Sequence, residues 1–226
     1  MAGKYDKNFT ENGYLMNYEK FPLHAELKNQ VYQFRIELLG IEPTIWRRIQ
    51  VPSDYNFWDL HVAVNDAMGW LDYHLHHFEI KGKGKRDEVH IGIPDFHQIT
   101  DGMPEVCPGW EIWMGAYFND LGIEAKYLYD YGDGWEHSVK LEGYMYREKG
   151  VKYPICTAGE RACPPEDCGG TGGYYHVLEV LGNPSDPEHE EMRIWAGEDY
   201  DPDHFSPERV NFYHPYKRWK GAFLER

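Results

Sequence analysis

The chain reads as an α+β fold, a mixed β-sheet packed against helices with short helices near the C-terminus. Three observations predict it. Residues 31–40, VYQFRIELLG, and 44–51, TIWRRIQV, alternate apolar with polar side chains and are rich in β-branched and aromatic types, as half-buried strands are. Leu60, Ala63, Val64, Ala67, Met68 and Leu71 then recur at helical spacing. Further along, runs at 124–132 and 135–144 flank Gly132-Asp133-Gly134, a hairpin turn signal.

Residues 1–30 are polar and aromatic without periodicity, and read as an N-terminal extension to one domain spanning 31–214, with a tail at 215–226. Glu42-Pro43 turns the first strand into the second, which ends at Pro52. Asn56 with Asp59 three residues on is a variant capping box, so a helix over 57–69 follows. HLHHFEIKG, 74–82, returns as a strand. The loop-rich stretch 82–122 reads as an insertion with one or two short strands. A helix over 173–183 stops at Gly182, and another over 186–198 has Asp186 as N-cap, Pro187 at its first position and Gly197 as its stop. Ser206-Pro207 opens one more short helix.

The length suits one domain, and an aromatic share of 16% supplies a sizeable core. The net charge of −15 repels phosphate backbones, so general nucleic-acid binding is not expected. The basic C-terminal YKRWKGAFLER reads as a solvated tail or the surface of a last helix. No apolar run approaches the roughly 20 residues of a transmembrane helix, and no apolar signal core opens the chain. Four cysteines are too few for a disulfide framework. The expectation is a soluble, cytoplasmic protein with reduced thiols and no membrane partner.

The least generic segment is YPICTAGERACPPEDCGGTGG, residues 153–173. Cys156, Cys163 and Cys168 are spaced x6 and x4, unlike the CxxC pairs of common zinc fingers. Three thiolates and an imidazole, from His137 or His176, would still close a structural zinc site. The same thiols also fit plain packing beside a Pro-Gly turn. As a nucleophile, Cys163 is the thiol to consider, since Arg161 could lower its pKa.

Two other segments carry imidazoles. In a regular strand His74 and His76 would share a face, a way to put two imidazoles on one metal, with His77 on the other face. In YDYGDGWEH, residues 129–137, Trp135 and His137 would share a face, and Asp133 near His137 could orient its imidazole. An aromatic hairpin with an Asp-containing turn is the alternative, and is the reading taken for Asp130. Asp199, Asp201 and Asp203 alternate like a calcium loop, but His204 and Val210 stand where that loop needs Gly and Glu, so a solvated acidic face is expected.

Taken in order, IWRRIQVP, LHVAVNDAMGW, HLHHF, YDYGDGWEH, GERACPPEDCGG, NPSDPEHEEMRIWAG and DYDPDHF resemble the plasmid pRiA4b ORF-three-like family over about 31–214. The resemblance implies an α+β fold and brings no established activity. Many family members carry Val where this chain has Cys168, which weighs against a three-thiolate zinc site as a family trait. His74, His76, Asp133, Trp135, His137, Cys163, Glu166 and Asp167 fall on the family pattern.

The reading is a non-enzymatic binding module. His74, His76, Asp133, Trp135, His137, Glu166 and Asp167 would line a site for a protein or small-molecule partner. The alternatives are a zinc-type hydrolase with His74, His76 and His137 on the metal and Asp133 or Glu166 as base, or a protein stabilised by zinc on Cys156, Cys163, Cys168 and His137.

Overall fold

The computed structural model describes residues 8–9, 15–16, 18, 27–82, 84, 87–94 and 105–224. Near the N-terminus β1 (Asn8–Phe9) pairs with β2 (Leu15–Met16). The main sheet comprises β3 (Gln30–Leu38), β4 (Ile45–Pro52), β5 (His76–Ile80), β6 (Val89–Gly92), β7 (Val106–Pro108), β8 (Glu124–Tyr129), β9 (Trp135–Tyr146) and β10 (Ile155–Glu160). Its order is β10-β4-β3-β9-β8-β5-β6-β7. All neighbours are antiparallel except β6 and β7, so the sheet is mixed and the fold is α+β.

The helices are α1 (Phe57–Met68), α2 (Gly170–Leu181), α3 (His189–Ala196) and α4 (Pro215–Phe223). The capping box forms as the sequence indicates: Asn56 Oδ1 accepts the Asp59 N–H at 2.8 Å, and Asp59 accepts the Asn56 N–H. Gly69, at φ 100°, ends the helix in the left-handed region.

Every residue of α1 is buried, because the helix is covered on two sides. Leu60, Ala63, Val64 and Ala67 face the sheet and join its core with Phe34, Ile49, Phe78, Tyr127 and Val139. Trp58 and Val62, one turn apart, face outward and meet Trp110 and Trp219. Trp219 belongs to α4, so the C-terminal segment is a docked helix. Tyr18 of the N-terminal segment packs on Tyr216 and Trp219 and donates to Asp59.

Three boundaries differ from the sequence pattern. The strand expected from residue 74 begins at His76, since its partner β8 ends at Tyr129 and Asp130 turns to φ 56°. Helix α2 starts at Gly170 and still stops at Gly182. Helix α3 starts at His189: Asp186 makes a turn instead, its side chain accepting from Glu188 N and its carbonyl from His189 N. Ser206-Pro207 opens a single 3₁₀ turn, Pro207–Arg209. The four cysteines are free thiols, and no helix among the described residues is long and apolar enough to cross a membrane.

Candidate functional site

Three loops meet at the end of β5 and β8: residues 71–75, 130–134 and 161–169. At their junction His74 Nε2 lies 3.2 Å from Asp167 Oδ1, 3.4 Å from Glu166 Oε2 and 3.6 Å from Asp130 Oδ2. That nitrogen is buried yet makes no hydrogen bond, so the carboxylate oxygens surround it without lying on its donor axis. Asp130 and Glu166 are nearly buried, while Asp167 is 69% exposed and opens the cluster to solvent.

Glu166 and Asp130 are held from behind. Glu166 Oε1 accepts the Leu71 N–H at 2.6 Å and the Tyr129 hydroxyl at 3.0 Å. Burial, and then the Glu166 charge, raises the Tyr129 pKa, so the phenol stays protonated and donates. Asp130 Oδ1 accepts the Gly132 and Asp133 N–H groups, which leaves Oδ2 for His74. Asp130 and Asp167 both sit at φ 56°, a left-handed conformation that Asp tolerates better than most residues and that is often found at functional sites.

Asp133 supports the site without entering it. Its Oδ2 accepts the Gly169 N–H at 3.1 Å, and its carbonyl packs so close to Gly170 that no side chain fits there. The hairpin is thereby locked to the start of α2, which fixes the Glu166–Asp167 segment against His74.

The other expected residues go elsewhere. His76 does not share a site with His74, because His74 precedes the strand. His76 points inward and stacks on His61 with centroids 3.3 Å apart and planes 7° apart. His61 is fully engaged, with Tyr127 Oη 2.8 Å from Nδ1 and Asp72 Oδ1 2.9 Å from Nε2. Arg218 of α4 then bridges Asp72 and Asp66. Burial, then the neighbouring His61 and His77, holds His76 well below the usual histidine pKa.

Trp135 and His137 do share a face, but it is the core face. His137 is buried edge-on to Trp70, with Nδ1 3.3 Å from the Tyr127 carbonyl and Nε2 unpartnered. Burial lowers its pKa to about 3. Among the described residues, His137 joins neither His74 nor Cys156, Cys163 and Cys168 in any group of three converging ligand atoms.

The thiols are quiet. Burial raises all three pKa values, that of Cys168 to about 12. The expected activation of Cys163 by Arg161 is not what the fold provides. Arg161 pairs with Asp203, the cation acting on Cys163 is Arg47, and burial outweighs it. Arg47 itself is spent on the carbonyls of Trp46, Ala67 and Glu160. Asp203 is thus part of a surface ion pair in the acidic run.

Of the residues the sequence reading grouped, His74, His76, Asp133, Trp135, His137, Glu166 and Asp167, the fold brings together the side chains of His74, Glu166 and Asp167. The sequence reading passed over Asp130 as turn chemistry. An Asp at the end of a β run, before a Gly-Asp-Gly turn, was the available signal.

Comparison with known proteins follows the same outline. The family model described as plasmid pRiA4b ORF-3-like protein matches residues 30–209. The uncharacterized protein y4hQ of Sinorhizobium fredii is 35% identical over 173 residues, covering 76% of this chain and 84% of its own length. The crystal structure of MM3350, a protein of unknown function from Methanosarcina mazei Go1, has a TM-score of 0.72 and 41% identity, covering 81% of this chain and 98% of that one.

Proposed function

The chain belongs to the plasmid pRiA4b ORF-3-like family, and from the site that lies within the matched span we propose that it is a cation-dependent binding module. His74, Glu166 and Asp167 hold one divalent cation, with Asp130 beside His74 adding negative charge, and the solvent side of the ion takes an oxygen ligand from a small molecule or partner protein.

The observation that carries this reading is His74 Nε2, which makes no hydrogen bond yet is ringed by three carboxylates at 3.2, 3.4 and 3.6 Å. Around an ion with bonds of about 2.1 Å, neighbouring ligand atoms stand roughly 3.0 Å apart in an octahedron and about 3.4 Å apart in a tetrahedron. The Asp167 and Glu166 spacings fall in that range, and the Asp130 spacing of 3.6 Å lies just beyond it. Three clustered carboxylates also repel one another, and a double positive charge offsets that. One imidazole with two carboxylates is a hard, oxygen-rich set, which suits Mn²⁺ or Fe²⁺ better than the zinc a thiolate set would favour.

The hydrolase arrangement with His76 and His137 on the metal has no geometric support, since His76 lies against His61 and His137 lies in the core.

Calorimetric titration of the full chain with Mn²⁺ tests the proposal. One ion per chain is expected, weakened at least about tenfold by Asp167→Asn and by Glu166→Gln, each removing a ligand charge. Equal melting temperatures in chelator would show that both variants fold. Absence of Mn²⁺ and Fe²⁺ binding, or affinity unchanged in both variants, would sink it.

A further inference from the structure

On the opposite face of the sheet from α1, His77, Glu79 and His90 place one ligand atom each within 4.8 Å of one another. The arrangement comes from strand geometry. His77 and Glu79 are two apart on β5 and so point to one side, away from the buried His76, Phe78 and Ile80. His90 of β6 is the direct cross-strand partner of Glu79. Gly92 is the partner of His77, and its lack of a side chain leaves the space beside that imidazole clear; a Cβ there would overlap the His77 backbone.

From this geometry we infer a second metal site, in which His77, Glu79 and His90 bind a borderline divalent cation of the Zn²⁺ class. The ring spacing carries the argument. An imidazole centroid lies roughly 3.2 Å from an ion on one of its nitrogens, so two imidazoles on one tetrahedral ion have centroids about 5.2 Å apart. The His77 and His90 centroids are 5.1 Å apart, inclined at 32°. The same ruler rejects the buried cluster of His61, Asp72 and His76. Parallel rings 3.3 Å apart aim their lone pairs along parallel planes, and no single ion lies in both.

The remaining contacts agree. His77 Nε2 is 3.3 Å from Glu79 Oε1, close to the tetrahedral ligand separation of about 3.4 Å. The far nitrogen, Nδ1, lies 2.7 Å from the Tyr131 hydroxyl, the outer partner that fixes ring and tautomer in metal-bound histidines. Lys126 is the nearby competing cation, 3.9 Å from Glu79 Oε2, but its ammonium is held 2.5 Å from Glu136. Two imidazoles and a carboxylate with a fourth position toward solvent form the open type of zinc set. The ion would tie β6 to β5.

The site is independent of the acid-rich one, and the test separates them. Zn²⁺ is titrated calorimetrically into the full chain carrying Asp167→Asn, which weakens the acid-rich site, and into the same protein with His90→Asn or Glu79→Gln added. One Zn²⁺ per chain is expected in the Asp167→Asn protein, weakened at least about tenfold by either added change. Co²⁺ in place of Zn²⁺ should give a visible absorption band that His90→Asn removes. Both added changes lie at half-buried positions on the face away from α1, and equal melting temperatures in chelator would confirm folding. No Zn²⁺ bound to the Asp167→Asn protein, or binding indifferent to both added changes, would overturn the inference.

Discussion

Replacing His137 with Phe should remove a defined part of the protein's acid sensitivity. His137 is fully buried, with one nitrogen against a carbonyl and the other unpartnered, and its pKa is about 3. In the unfolded chain the imidazole regains a pKa of about 6.5. Between these values the unfolded chain binds the proton and the fold does not, so stability is complete above about pH 6.5 and falls as pH falls. From pH 7.5 to pH 5 the loss attributable to this group is about 2 kcal/mol, reaching about 5 kcal/mol below pH 3. Phenylalanine has nearly the same shape and no proton to bind. Urea unfolding followed by tryptophan fluorescence, in chelator at pH 7.5 and pH 5, should show a smaller drop for His137→Phe than for the native chain, by about 2 kcal/mol. His76 is also held neutral by burial and titrates alike in both proteins, so the difference isolates His137. An identical pH dependence in the two proteins would refute the reasoning.

Two packing predictions follow from the fold. Gly173→Ala puts a Cβ into the Cys168 carbonyl at the first turns of α2, and should cost about 3 kcal/mol or more, read as a fall in the urea midpoint. Unaltered stability would mean that the cysteine loop does not pack on α2 as described. Trp219→Ala empties the pocket between Trp58, Trp110 and Phe223, and should cost about 3–5 kcal/mol and expose α4 to proteolysis. A loss under about 1 kcal/mol would mean that α4 contributes little to the core.

Much of the architecture was legible because it is written at short range. The alternation in 31–40 and 44–51 gave β3 and β4, and Asn56 with Asp59 gave the start of α1. The Gly-Asp-Gly turn gave the β8–β9 hairpin. Where the pattern misled, a long-range partner decided. HLHHF alternates through residue 74, but β8 stops pairing at Tyr129, so His74 leaves the strand and joins the carboxylates while His76 enters the core. The shared face of Trp135 and His137 was correctly read, yet which face α1 would cover was not in the spacing.

By itself the sequence determined β3, β4, α1 and the β8–β9 hairpin, but not β10 or α4, and it grouped His74, Glu166 and Asp167 with His76, Asp133, Trp135 and His137. Only the tertiary structure placed Asp130 beside His74, set His77 and His90 on neighbouring strands with ring centroids 5.1 Å apart, and half-buried the thiols. The reason is physical: side-chain periodicity fixes which way a residue points within its own element. Convergence of loops 71–75, 130–134 and 161–169 depends on β8 lying between β5 and β9, and on α2 docking its first turn on the hairpin.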